Sequence, residues 1–221
     1  EYCPMNLRDH MNSTPKFPEQ EISYMLEQLA RGLEFLHSHD IVHMDVKPGT
    51  DSLSMTGSHG FIENILVDQK NNLKLTDFGQ SRIISPIFSG DFDDGDSRYM
   101  APELLNLSSA ETHGPQLKSA DIFSLGMTIY ELIQVLDQNI AFSLQFCIGI
   151  EIPKRGATWK ALRSGDFSAL DEVHDISSSM KQIIKRMMDP DPKNRPSLSE
   201  IIKHNELTCK KNLEVSKNVS I

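Results

Sequence analysis

Cysteine is scarce in this chain of 221 residues: there are three, Cys3, Cys147 and Cys209, and they stand far apart. That spacing supplies neither a disulfide framework nor the paired ligands of a zinc knuckle, and it fits a reducing compartment. Net positive charge is absent as well. Lys and Arg number 22 against 31 Asp and Glu, a formal charge of −9, so bulk attraction to nucleic acid or to an anionic lipid surface is disfavoured. There is no basic and aromatic stripe on which nucleic acid would stack, so the expectation is no nucleic-acid partner. Long apolar runs are missing too. The greasiest stretch, Ile140 to Ile150, is broken by Ser143, Gln145 and Gly149; it is too short to span a bilayer and reads as a buried segment, leaving no membrane segment in the chain. Glu1-Tyr2-Cys3-Pro4 lacks the basic and apolar regions of a signal peptide. The glycosylation triplets at Asn12, Asn106 and Asn218 are therefore read as chance matches. The expectation is a cytoplasmic or nuclear chain that begins inside a longer protein.

What is present describes a globular domain. Apolar residues make up 38% and charged residues 24%, enough for a core and too balanced for a disordered chain. Residues 19–39 carry the clearest helix: Ile22, Met25, Leu26, Leu29, Leu33 and Leu36 recur at steps of three and four, and Pro18 suits the first turn. Ile65-Leu66-Val67 and Leu73-Lys74-Leu75-Thr76, separated by the turn-rich 68–72, read as a hairpin. Three more helical stripes follow. The first runs through Ile122, Leu125, Ile129, Leu132 and Ile133, and the second through Met180, Ile183, Ile184, Met187 and Met188. The third opens with Leu198, Ile201 and Ile202. Asp189-Pro190-Asp191-Pro192 should stop the second, because proline lacks the donor and clashes with the preceding turn. Residues 206–221 read as a polar tail. The fold class is thus mainly α with one small β-hairpin.

Between the long helix and the hairpin lies Ile41-Val42-His43-Met44-Asp45-Val46-Lys47-Pro48. Asp77-Phe78-Gly79 follows the hairpin, and Met100-Ala101-Pro102-Glu103 comes later. Asp121-Ile-Phe-Ser-Leu-Gly126 and Asp189-Pro-Asp-Pro-Lys-Asn-Arg195-Pro196 complete the set. Each is weak alone. In this order and on these elements they resemble the C-terminal lobe of a protein kinase, over residues 1–205. The resemblance implies a Mg²⁺- and ATP-dependent enzyme, since phosphoryl transfer is catalysed mainly by positioning and by neutralising developing charge. It gives Asp45 the proton of the acceptor hydroxyl and Lys47 the transferring phosphate as neighbour. Asn64 and Asp77 become the metal ligands, and Glu1 and Cys3 part of the hinge whose backbone groups hydrogen-bond the adenine. His43, Glu103, Asp121 and Arg195 become structural supports, with Arg195 pairing Glu103.

Gly95-Asp96-Ser97-Arg98-Tyr99-Met100-Ala101-Pro102-Glu103 and Pro153-Lys154-Arg155-Gly156-Ala157-Thr158-Trp159 resemble the Wee/Myt group. The fit is best to its Myt-type branch, the membrane-associated tyrosine- and threonine-specific kinases that inhibit cyclin-dependent kinases. The implied partner is a cyclin-dependent kinase–cyclin complex, with Tyr and Thr as acceptors and restraint of mitotic entry as the outcome. An endomembrane association of the full-length protein is also implied. In this family an arginine normally precedes the catalytic aspartate and gathers an activation-loop phosphate. Met44 stands there instead, so that phosphate should not be needed.

Three departures from the family pattern stand out. No glycine-rich loop, strand lysine or helix glutamate precedes Glu1. The N-terminal lobe is therefore expected to be missing and the chain by itself inactive, with a non-catalytic binding module as the alternative. The family spacing Asp-x-x-x-x-Asn is stretched between Asp45 and Asn64, and removing residues 49–62 restores it. Lengthening a loop costs only about 1 kcal/mol in closure entropy, whereas a misplacement of about 1 Å costs on the order of a hundredfold in rate. The expectation is that this segment decouples Asn64 from Asp45. Residues 136–149 look like a second insertion, with Phe142, Leu144, Phe146 and Ile148 alternating as in a strand.

Overall fold

A computed structural model describes residues 2–14, 16–49, 64–84, 95–105, 114–135 and 152–205. Glu1, nearly all of the 49–62 segment, the 136–149 segment and the 206–221 tail lie outside the described residues. The elements, in chain order, are β1 (Met5–Asn6), α1 (Leu7–Ser13), α2 (Glu19–Ser38), β2 (Ile41–Val42), β3 (Ile65–Val67), β4 (Leu73–Leu75) and β5 (Arg82–Ile83). Then come α3 (Pro102–Leu105), α4 (Gly114–Val135), α5 (Ala157–Arg163), α6 (Ser168–Asp171), α7 (Ser178–Met187) and α8 (198–205).

The long amphipathic stretch forms α2, burying Ile22, Met25, Leu26, Leu29 and Leu33. Each such side chain contributes roughly 1.5–3 kcal/mol by leaving water. Pro18 sits one residue earlier than expected. It is the N-cap, in extended conformation, and its carbonyl accepts from the N–H groups of Glu21 and Ile22. Helix α4 is different in kind. From Ala120 to Ile133 every residue is buried, as expected of a helix that is apolar nearly all round and runs through the centre of a core. Gly126 lets α7 approach it: a Cβ there would come within 2.8 Å of Met188 Cγ and 3.0 Å of Met187 Cβ. Helix α7 ends at Met187 and the chain turns through the prolines behind it. Ser177 caps its other end, accepting from Met180 N–H, and is itself held by Glu19 of α2.

The expected hairpin is present as β3 and β4, antiparallel with Ile65 opposite Leu75 and Val67 opposite Leu73. The sheet content is larger than one hairpin, however. β1 joins the other side of β3 to make the order β1-β3-β4, and β2 pairs with β5 to make a second, two-stranded sheet. Strands of two residues have no alternation to read, and they form because a distant partner is brought alongside.

Candidate active site

Three elements converge on the loop after β2. Asp121, fully buried on α4, is the hub. Its Oδ2 accepts from the backbone N–H of His43 and its Oδ1 from that of Met44, both at 2.8 Å. Oδ2 also accepts from His37 Nε2 at the end of α2, at 2.8 Å. One carboxylate therefore holds the loop to two helices. Met44 needs that hold, because its φ of 67° is a left-handed conformation a side chain rarely takes. His43 uses both ring nitrogens on main-chain groups. Nε2 donates to Thr76 O at 3.0 Å, which leaves Nδ1 to accept from Asp45 N–H at 3.3 Å. Its ring also lies 5.3 Å from that of Phe78.

The loop presents Asp45 and Lys47, both buried. Lys47 Nζ donates to Asp45 Oδ2 at 2.7 Å. Asn64, just before β3, donates Nδ2 to the same Oδ2 at 2.8 Å and to Asp45 O at 2.9 Å. The expectation of a decoupled Asn64 is thereby overturned. The sheet places Asn64 from one side and Asp121 places the loop from the other, so the intervening segment does not set the distance. Asn64 is fully buried, and its Oδ1 takes no hydrogen bond among the described residues. A buried amide oxygen left open in this way is costly unless something electropositive meets it, and it is a hard donor of the kind a divalent cation takes.

Asp77 lies one residue beyond a main-chain tie to Asn64. Thr76 N–H donates to Asn64 O at 2.9 Å, which ties the chain just before Asp77 to the residue that holds Asp45. Asp77 is exposed, in left-handed conformation with φ 57°, and accepts from Gly79 N–H. Phe78 is half exposed. Cys3 is half-buried, two residues before β1 at the margin of the sheet that carries Asn64. Glu1 is outside the described residues. Among the described residues no cluster of three or more His, Cys, Asp or Glu could by itself hold a metal ion, so a cation here would need the amide oxygen and ligand oxygens besides.

Arg195 makes a two-pronged contact with Glu103, Nη1 to Oε1 at 2.5 Å and Nη2 to Oε2 at 2.7 Å, and also donates to Ser119 O and Asp189 O. Sequence reasoning missed a buried network around Glu131 of α4. Arg8 of α1 donates to Glu131 Oε2 at 2.9 Å and to Tyr99 Oη at 2.8 Å, and Tyr99 donates to Glu131 at 2.6 Å. Burial, and then the Glu131 charge, push the Tyr99 hydroxyl well above its ordinary value. The one available signal was Glu131 itself, a carboxylate in an apolar helix. Asp96 and Arg98 form a second pair, Nη2 to Oδ2 at 2.6 Å. Burial opposes the Asp96 charge, but the hydrogen bond and charge of Arg98 outweigh it and hold the carboxyl below its usual range.

Residues 1–206 match the family described as protein kinase domain. The chain is similar to the membrane-associated tyrosine- and threonine-specific cdc2-inhibitory kinase of Drosophila melanogaster, 31% identical over 94% of this chain and 32% of that protein. It is similar to a Wee1-like protein kinase of Oryza sativa, 36% identical over 81% of the chain and 27% of the relative. It is also similar to the cdc2-inhibitory kinase wee-1.3 of Caenorhabditis elegans, 32% identical over 92% and 25%. The chain spans a third or less of the length of each of these relatives. No helix among the described residues is long and apolar enough to cross a membrane.

Proposed function

The chain belongs to the protein kinase family, within its Wee/Myt group, and on that premise we propose that its protein transfers the γ-phosphate of Mg²⁺-ATP to Tyr and Thr of a cyclin-dependent kinase. The observation that carries this reading is the hydrogen-bonded set of Asp45, Lys47 and Asn64, locked to α4 through Asp121. Asp45 takes the proton of the acceptor hydroxyl as its oxygen bonds to phosphorus and the bridging oxygen leaves with ADP. Lys47 places a positive charge beside the transferred group. Asn64 Oδ1 and the Asp77 carboxylate would hold the Mg²⁺, which supplies charge neutralisation for the phosphates when bound. Asp121 keeps the loop's N–H groups satisfied and its left-handed turn in place, so that these groups are set before substrate arrives. The relatives named as cdc2-inhibitory suggest the acceptor and, with it, restraint of mitotic entry.

The test is transfer of labelled phosphate to a cyclin-dependent kinase–cyclin complex by the full-length protein and by its Asp45→Ala and Asp77→Ala variants. The expected result is transfer by the parent and its loss in both variants, with Asp77→Ala melting within a few degrees of the parent and Asp45→Ala, which strands the buried Lys47 charge, melting lower but still cooperatively. Near-parent transfer by either variant withdraws that residue's role. A parent protein that binds the complex but transfers nothing makes this a binding module.

A further inference from the structure

Arg163 has a place that the chemistry above does not use. It ends α5 with its side chain buried, and that burial lowers the guanidinium from its ordinary value to about 10. Its partners are main-chain oxygens and aromatic faces. Nη2 lies 2.7 Å from Ser97 O, 3.0 Å from Arg98 O and 2.9 Å from Met100 O, and Nη1 lies 3.2 Å from Trp159 O. The guanidinium sits 4.2 Å from the Trp159 ring centroid and 5.7 Å from that of Phe123 on α4. Trp159 adds a bond of its own, Nε1 donating to Ser97 O at 2.8 Å. A single planar cation and one indole thus grip three carbonyls within four residues.

The gripped segment borders the catalytic loop. A Cβ on Gly95 would lie 3.9 Å from Met44 O. Asp96, besides its Arg98 pair, feels the charge of Lys47. Tyr99 anchors the same stretch to Glu131 and Arg8. Burying a cation is costly unless its donors are satisfied. Here Nη2 is satisfied only while the 97–100 carbonyls converge, and Nε is buried with no partner among the described residues, so the burial of Arg163 leans on those carbonyls and the segment's course is coupled to it. A lysine is a point charge without the fork that reaches several oxygens in a plane.

We infer that Arg163, assisted by Trp159, is a positioning residue that fixes residues 96–100 against the catalytic loop and thereby sets where the acceptor protein chain lies. It supplies, from a buried side chain, the order that an arginine at position 44 would supply through a phosphate. This rests on the kinase reading of the site.

The experiment compares the full-length protein with Arg163→Met, Arg163→Lys and Trp159→Phe. Steady-state transfer to the cyclin-dependent kinase complex, affinity for an ATP analogue with Mg²⁺, and amide hydrogen exchange over 95–101 are measured together. For both Arg163 variants the expected result is a loss of about tenfold in kcat/KM for the acceptor, carried by KM. ATP affinity should stay within about twofold and exchange over 95–101 should be faster. Trp159→Phe, which loses one bond of the set, should fall about threefold. An acceptor KM in Arg163→Met within about twofold of the parent overturns the inference, as does an equal loss of ATP affinity, which would mark a general defect of folding. A parent that transfers no phosphate overturns the kinase reading instead. The exchange measurement then still decides the clamp, with faster exchange in Arg163→Met supporting it and unchanged exchange refuting it.

Discussion

Asn64 donates its side-chain amide to both the carbonyl and the carboxylate of Asp45, at 2.9 and 2.8 Å, although 19 positions separate them in the chain. The two ends of the intervening segment are held independently. Pro48 O accepts from Arg8 N–H of α1, and Asn64 O accepts from Thr76 N–H beside β4. Closing a longer loop between two fixed points costs little, so Asp45 and Asn64 can meet whatever lies between.

Excising residues 49–62, which joins Pro48 to Glu63, should therefore leave the site intact. Phosphate transfer by the full-length protein is expected to stay within about threefold of the parent, with stability raised by about 1 kcal/mol from the shorter loop. Transfer assays and urea titrations check both. A loss of more than about tenfold would make the segment part of the machinery.

The open oxygen of Asn64 is expected to matter through the cation. Asn64→Ala should raise the Mg²⁺ concentration needed for half-maximal binding of an ATP analogue by about tenfold or more, in the range usual for lost metal partners. Calorimetric titrations of the analogue at several Mg²⁺ concentrations read this directly. An unchanged Mg²⁺ dependence would remove Asn64 from the metal site.

Breaking the Glu103–Arg195 pair should cost stability on the scale of a buried ion pair. Arg195's side chain is fully buried, and Glu103→Gln leaves its charge facing a neutral amide. The expected loss is about 3 kcal/mol, measured by chemical denaturation. A change below about 1 kcal/mol would show that the carbonyls of Ser119 and Asp189 suffice for the guanidinium.

Arg8 and Glu131 are expected to behave as a unit. Arg8→Met and Glu131→Met each strand a buried charge and should each destabilise by about 3 kcal/mol. The double variant should lose less than the two losses together, because no charge is left behind. A double-mutant cycle that simply adds would contradict this coupling.

The Asp96–Arg98 pair sets a pH dependence with a definite sign. The folded carboxyl lies below its ordinary 3.8, so the folded state binds fewer protons than the unfolded one in the window between the two values. The pair's contribution is fully present above pH 3.8 and is lost as pH falls through the lower folded value. Asp96→Asn should remove this part of the acid limb, as seen in melting temperatures from about pH 2 to pH 5 relative to the parent, with the difference confined to pH below 3.8.

Much of this protein was legible in one dimension. The apolar steps of α2 and α7, the turn residues between β3 and β4, and the order of the motifs around Asp45, Asp77, Glu103, Asp121 and Arg195 are local patterns. They are readable because helix period, turn chemistry and motif spacing are properties of neighbours in the chain. Packing alone decided the rest. β1, β2 and β5, of two residues each, have no pattern until a partner lies beside them. Asn64 returned to Asp45 because a sheet and a buried helix hold the two ends, a distance that counting residues misjudges. The grip of Arg163 on residues 97–100 joins positions more than sixty apart through main-chain oxygens. Carbonyl groups are the same in every residue, so their convergence leaves no trace in the side-chain alphabet and exists only in the folded chain.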